Sequence, residues 1–282
     1  MLLLLLVSVI WAFSFGLVPR LTGLDGAFIA AARLAVALLV FLPFLRLRGI
    51  NTRTRFTLAG IGAVQFGLMY LAYNESFRFL KSYEIAVFTL TTPILVTLLA
   101  DAFDRTLRAS ALFAALLAVL GGAVIVVKAT PAPGALVGVT LVQLSNLAFA
   151  LGQVLYRRWR TATAVETIRD RDVFGLLYAG AFAVTLPFSL LRTHFTALTL
   201  TLPNVAILLY LGVAASGVGF FLWNRGATQV SAGTLAAMNN AKIPLAVACS
   251  LVVFGEQAEL TRLFCGGALM AGAVWLARRH AG

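Results

Sequence analysis

Apolar residues in this chain come in long blocks, not in alternation and not as a stripe on one helical face. The blocks approach the ~20 residues that a helix needs to cross the ~30 Å hydrocarbon core of a bilayer. Bounded by clusters of Arg, Pro, Asp and Gly, they predict spans over residues 2–18, 27–45, 56–73, 83–100 and 109–127. Pro131-Ala132-Pro133-Gly134 then interrupts the pattern, and five more follow at 135–156, 173–191, 203–223, 232–254 and 261–277. The longest hydrophilic stretch, residues 157–172, is too short for an extramembrane domain. The expected fold is therefore an all-α integral membrane protein of ten transmembrane helices. The first block lacks both a preceding basic segment and a small-residue cleavage site, so it reads as a retained span and not as a signal peptide.

Composition agrees. Of 282 residues, 61% are hydrophobic and 11% charged, against about 25% charged in a soluble domain, and the mean hydropathy is +0.97. Disordered, collagenous and disulfide-rich classes are excluded. The net charge of +12 raises the question of nucleic acid, which the placement of the basic residues answers. With the amino terminus cytoplasmic, fourteen Lys and Arg fall in cytoplasmic segments and six outside, and Arg33 and Lys242 lie within spans. Such an asymmetry is a topology signal that puts both termini in the cytoplasm. Nothing interleaves basic and aromatic residues as a phosphate-tracking groove does, so no nucleic-acid partner is expected. Cys249 and Cys265 have no metal-ligand spacing and read as packing residues.

The two halves of the chain resemble each other. Leu71-Ala72-Tyr73-Asn74 is followed by Ala86 and, seven residues later, Pro93; Phe221-Leu222-Trp223-Asn224 is followed by Ala237 and, again seven later, Pro244. Each proline precedes an acid at a span end, Asp104 and Glu256, and each half closes on a Gly-Ala-Val string, at 122–124 and 272–274. Five spans per half is an odd number, so residues 1–130 and 131–282 form two repeats of inverted topology in one membrane domain. Exchanging the conformations of inverted halves turns an outward-open cavity inward, which is alternating access.

In this frame the sequence resembles the bacterial drug/metabolite transporter superfamily, EamA type. The likeness rests on Trp11-Ala12-Phe13-Ser14-Phe15 in the first span, Arg33-Leu34 in the second, Thr92-Pro93 in the fourth, Pro244 with Gly255-Glu256 in the ninth, and Gly266-Gly267 to Gly272-Ala273-Val274 in the tenth. It covers essentially the whole chain and is strongest toward amino-acid and metabolite exporters, the aromatic amino acid exporter group among them. It implies a secondary transporter of the bacterial inner membrane that exports amino acids or similar small amphipathic metabolites. Lipophilic cations, sugar phosphates and nucleotide sugars are the alternative substrates. One position departs from the pattern: Lys242 stands where an apolar residue is expected.

Lys242 is also the first candidate for chemistry. It lies ten residues into a predicted span, where a cation costs about 2.5–3.5 kcal/mol unless it meets water or a partner, and it is too deep to snorkel. The reading is a contact for a substrate carboxylate, with Asn239 one turn earlier on the same face and Asn240 adjacent. Gln143, Asn146 and Gln153 make one face of the sixth span polar; it either lines the cavity or bonds neighbouring helices. Trp11, Tyr70 and Tyr73 are candidate aromatic walls, Ser14 and Thr91 candidate hydrogen-bond donors, and Pro93 and Pro244 candidate hinges. Arg33, six residues from its span end, reads as snorkelling or carbonyl-bound. Proton coupling stays open at Lys242, the deepest titratable group. No metal or other cofactor is expected, and the assembly is taken as a monomer or weak dimer.

Enzyme chemistry finds no reagents in the spans. His194 and His280 lie outside them, there is no paired-acid motif, and no Gly-Lys dipeptide exists for a Walker A loop.

Overall fold

The computed structural model describes residues 2–105, 116, 117, 120, 121, 124, 134–162, 168–230 and 232–279; within the last range the side chains of 232–234, 236, 237, 240, 241, 273, 274 and 276–279 are not described. Among the described residues seven helices are long and apolar enough to cross a membrane: α1 (Leu2–Arg20), α2 (Gly26–Phe44), α3 (Thr52–Ser76), α4 (Ser82–Asp104), α5 (Ala135–Thr161), α6 (Asp170–Arg192) and α7 (Leu202–Thr228). They match the predicted spans one to four and six to eight. Two further helices, α8 (Ala232–Ala248) and α9 (Leu260–Arg279), coincide with the ninth and tenth, although their apolar stretches, Lys242–Val253 and Leu260–Gly272, are shorter. The predicted span 109–127 lies outside the described residues except for Leu116, Leu117, Leu120, Gly121 and Val124, which are helical. No strand occurs among the described residues.

Local sequence sets the helix starts. The Asp25 side chain accepts from Ala27 N and Phe28 N at 3.0 and 2.9 Å, and Asn51 from Thr54 N at 2.7 Å, so the first-turn donors of α2 and α3 are satisfied. At α4, Glu84 accepts from Lys81 N at 2.9 Å. A second carboxylate, Glu256, accepts from Ser82 N and Tyr83 N at 3.3 and 3.2 Å and from the Ser250 hydroxyl at 2.7 Å.

Three helices are interrupted midway. π-helical stretches occupy Ala63–Leu68 in α3 and Tyr210–Val218 in α7, and the 3-10 turn Thr89–Thr91 divides α4 just before Pro93. A π-stretch frees carbonyls from the regular ladder. Those of α7 are taken up by side chains: Ala215 O accepts from Trp11 Nε1 at 2.8 Å, and Ser216 O and Gly217 O from the Tyr178 hydroxyl at 2.9 and 2.6 Å. Pro244 is different. It lies inside a helix that continues through it, and its side chain is exposed. The irregular turn comes later, as a π-helical stretch over Cys249–Val253. The sequence expectation of paired hinges thus finds a break at Pro93 and none at Pro244.

Small residues let α3 and α6 touch backbone to backbone. A Cβ on Gly62 would sit 1.9 Å from Leu177 O, and one on Gly180 would sit 1.9 Å from Ala59 O. In lipid, close packing of this kind replaces the hydrophobic drive that water supplies elsewhere. α2 packs against α6 and α7, α5 against α3 and α4, and α1 against α7 and α8.

Contacts sort the loops into two ends. Arg46 N donates to Asp172 O at 2.9 Å, Arg158 pairs with Asp104 at 2.6 Å, and Arg160 pairs with Asp170 at 3.2 Å. At the opposite end Lys81 Nζ donates to Gln257 O at 3.0 Å, the Arg20 guanidinium lies 4.9 Å from the Phe254 ring centre, and Glu75 pairs with Arg78. These groupings are those of helices that cross in alternating directions.

Candidate substrate cavity

The broken turn of α4 opens onto a cavity of about 70 Å³. Its walls come from α1 (Trp11, Ser14, Phe15), α2 (Arg33), α3 (Met69, Tyr70, Tyr73), α4 (Thr89, Thr92), α5 (Ser145, Asn146, Phe149), α7 (Phe220) and α8 (Lys242). Six residues expected from sequence meet here: Trp11, Ser14, Tyr70, Tyr73, Asn146 and Lys242.

Lys242 is 7% exposed. Its ammonium is caged by rings, 4.8 Å from the centre of Trp11 and 5.6 Å from those of Phe149 and Trp223. Trp11 holds this cage together, with ring centres 5.0 Å from Trp223, 5.3 Å from Phe220 and 6.1 Å from Phe149. Cation–π contacts favour the ammonium but leave its N–H donors available. Among the described residues no Asp or Glu lines the cavity.

Arg33 corrects the sequence reading. It neither snorkels nor rests on a carbonyl: it is 1% exposed and lines the same cavity. Its Nη2 donates to the Tyr70 hydroxyl at 2.6 Å and its Nε to Ser216 Oγ at 3.2 Å, with the guanidinium 4.0 Å from the Tyr70 ring centre. The two hydroxyls lie 2.9 Å apart, and Arg33 Nη1 has no hydrogen-bond partner among the described residues. The cavity therefore holds two cations, where the sequence suggested one. The signal was present, since a charge inside a span marks a site by default. Phe149 and Phe220 were missed, because phenylalanine in a span looks the same whether it faces lipid or cavity.

The amide face of α5 does both jobs it was expected to choose between. The broken turn of α4 leaves Phe88 O open, and Asn146 Nδ2 donates to it at 3.0 Å while also reaching Thr91 Oγ1 at 3.0 Å. Thr91 donates to Gln143 Oε1 at 2.7 Å. Gln143 and Thr91 thus stitch α5 to α4 beside the cavity, and Asn146 both stitches and lines. Gln153, further along α5, is buried with both amide atoms unpartnered among the described residues. Asn239 is 1% exposed, and its amide atoms likewise have no partner there. The Asn240 side chain lies outside the described residues. Among the described residues no three His, Cys, Asp or Glu are grouped to hold a metal.

The model of the family described as "EamA-like transporter family" matches residues 1–127 and 136–278. The chain belongs to the EamA-like transporter family. It is thus a transporter and a multi-pass protein of the bacterial inner membrane. This EamA-family chain is 40% identical to a probable biotin transporter of Pseudomonas aeruginosa, over 98% of this chain and 96% of that one. It is 38% identical to a biotin transporter of Salmonella typhimurium and 36% to one of Escherichia coli K12, each over 99% of this chain and 93% of the relative. A solved crystal structure covering 100% of this chain and 98% of its own superposes with a TM-score of 0.68 at 17% identity, a likeness of fold.

Proposed function

We propose that this EamA-family transporter carries biotin, or a small amphipathic monocarboxylate closely like it, by alternating access. The observation that carries the proposal is the ring-caged Lys242 lining a cavity that has no acid among its described residues. A buried cation without a counter-ion is unfavourable unless a ligand supplies the negative charge. Biotin offers one carboxylate, an apolar chain and a neutral ureido ring, which suit a cation in an aromatic-walled cavity; the cavity of about 70 Å³ in this arrangement widens to admit it as the helices rearrange in the transport cycle. The named function of the relatives points the same way.

The amino-acid reading has less behind it. An α-amino acid brings an ammonium that needs an acceptor carboxylate, and two cations with no acid repel it. Lipophilic cations fail on the same ground. Neither amino acids nor export appears in the names of the relatives.

The transport unit in this proposal is ten helices in two inverted halves, 1–130 and 131–282, with both termini cytoplasmic. Support comes from π-helical stretches midway along both α3 and α7, which are counterparts in the repeat, and from family matches that flank residues 131–134. Lys242, Asn146, Trp11, Ser14, Tyr70 and Tyr73 form the binding surface, and Asn239, one turn before Lys242 on α8, is buried beside it. Gln143 and Thr91 support it, and Pro93 marks the moving turn.

The test is uptake of radiolabelled biotin, phenylalanine and alanine into liposomes carrying the purified protein, with and without an imposed pH gradient. Saturable biotin uptake alone is the expected result, and its enhancement by the gradient would show proton coupling. Uptake of an amino acid without biotin would overturn the proposal.

A further inference from the structure

We infer that Arg33 is a second substrate anchor that selects carboxylates carrying a neutral carbonyl acceptor at the end remote from the carboxylate. This inference rests on the reading that Lys242 takes the carboxylate. Its own observation is independent: Arg33 lines the cavity, and its Nη1 is buried and unpartnered among the described residues.

The two cations stand at opposite ends of a chain of rings. Arg33 lies 4.0 Å from Tyr70, Tyr70 5.6 Å from Phe220, Phe220 5.3 Å from Trp11, and Trp11 4.8 Å from the Lys242 ammonium. A ligand held by both has acceptors at its two ends and apolar surface between them.

The hydrogen bonds of Arg33 decide what it takes. Nε and one N–H of Nη2 are committed to Ser216 and Tyr70, so the side-on Nε/Nη2 fork is already taken up inside the protein. Both N–H groups of Nη1 and the second N–H of Nη2 remain, and with the substrate's one carboxylate on Lys242 they are left for the two lone pairs of a neutral carbonyl oxygen. A ureido or amide carbonyl fits that role, and leaving Nη1 unpaired against a ligand without one is costly in a dry site. The Tyr70 and Ser216 hydroxyls position the guanidinium, and the side chain itself makes the contact.

The experiment compares two inhibitors of radiolabelled biotin uptake in proteoliposomes: desthiobiotin, which keeps the carboxylate and the ureido carbonyl, and octanoate, which keeps only the carboxylate. The ratio of their inhibition constants is internal to each protein and does not depend on how much folds. In wild type, desthiobiotin is expected to inhibit at least about tenfold better, as one charged hydrogen bond predicts. Arg33→Gln is expected to collapse the ratio toward one, with Arg33→Lys restoring part of it. Tyr70→Phe, which keeps the charge but removes one positioning bond, is expected to narrow it and carries the test if the Arg33 variants do not fold. A wild-type ratio retained in these variants would overturn the inference and leave the Lys242 reading intact. Absence of inhibition by either compound in wild type would overturn both.

Discussion

The ammonium of Lys242 in α8 lies 4.8 Å from the ring centre of Trp11 in α1, and the Trp11 indole nitrogen is itself fixed 2.8 Å from Ala215 O in the π-stretch of α7. One tryptophan thus joins the cation to the irregular helix that shapes the opposite wall. Because the freed carbonyl orients Trp11 and Trp11 faces the cation, the cage is built before a ligand arrives.

From this follows a separation of stability from transport. Lys242→Met removes a buried cation that has no acid partner in the cavity lining, a change worth about 2.5–3.5 kcal/mol in a span centre. The variant is expected to melt at the wild-type temperature or above in detergent while biotin uptake falls at least about tenfold. A lowered melting temperature with unchanged uptake would make Lys242 a structural residue.

Glu256 holds the end of the bundle that carries Phe254. Its carboxylate binds the first-turn donors of α4, and the Phe254 ring fills the place where a Cβ on Gly16 would lie, 2.0 Å away. Loss of a helix cap costs about 1 kcal/mol, enough to shift a two-state equilibrium several-fold. Glu256→Ala in a Ser14→Cys background is expected to speed labelling of the cavity by an impermeant thiol reagent from that end. Equal rates would show that the contact does not close the cavity.

Gly180 tests the packing of α3 on α6. Its neighbour is backbone, Ala59 O at 1.9 Å from a Cβ, so the helices must separate to admit any side chain. Gly180→Val is expected to abolish monodisperse protein on size exclusion, whereas Gly60→Ala, with nothing within 4 Å, is expected to elute as wild type.

The helices were legible in the sequence because a lipid solvent demands unbroken apolar runs, and α1 to α7 lie where those runs predict. The breaks within α3 and α7 were not. A π-stretch is set by which carbonyls find partners elsewhere, such as Ala215 O with Trp11, and that is a tertiary fact. Lys242 stood out by its charge. Arg33 was underrated because its depth was counted from the span end, whereas its burial comes from α2 being wedged between α6 and α7. Phe220 gave no sign, since its side of the helix is decided only by packing.

Orientation is open to direct test. Arg53, in the first turn of α3, and Arg169, just before α6, lie at one end of the bundle, as the Arg46 N to Asp172 O bond requires, and that end is expected to be cytoplasmic from the excess of basic residues. Arg53→Cys and Arg169→Cys should both resist an impermeant reagent in intact cells and react in inverted vesicles. Labelling of either from outside would reverse the topology.

In the proposed transport cycle Lys242 receives the carboxylate of the substrate. The most direct measurement is competition against radiolabelled biotin uptake by biotin and by biotinamide, which lacks the charge, in wild type and in Lys242→Gln. The prediction is that biotin competes at least about tenfold better than its amide in wild type, and that the two become equal in the variant. A preference for biotin that persists undiminished in Lys242→Gln would contradict it.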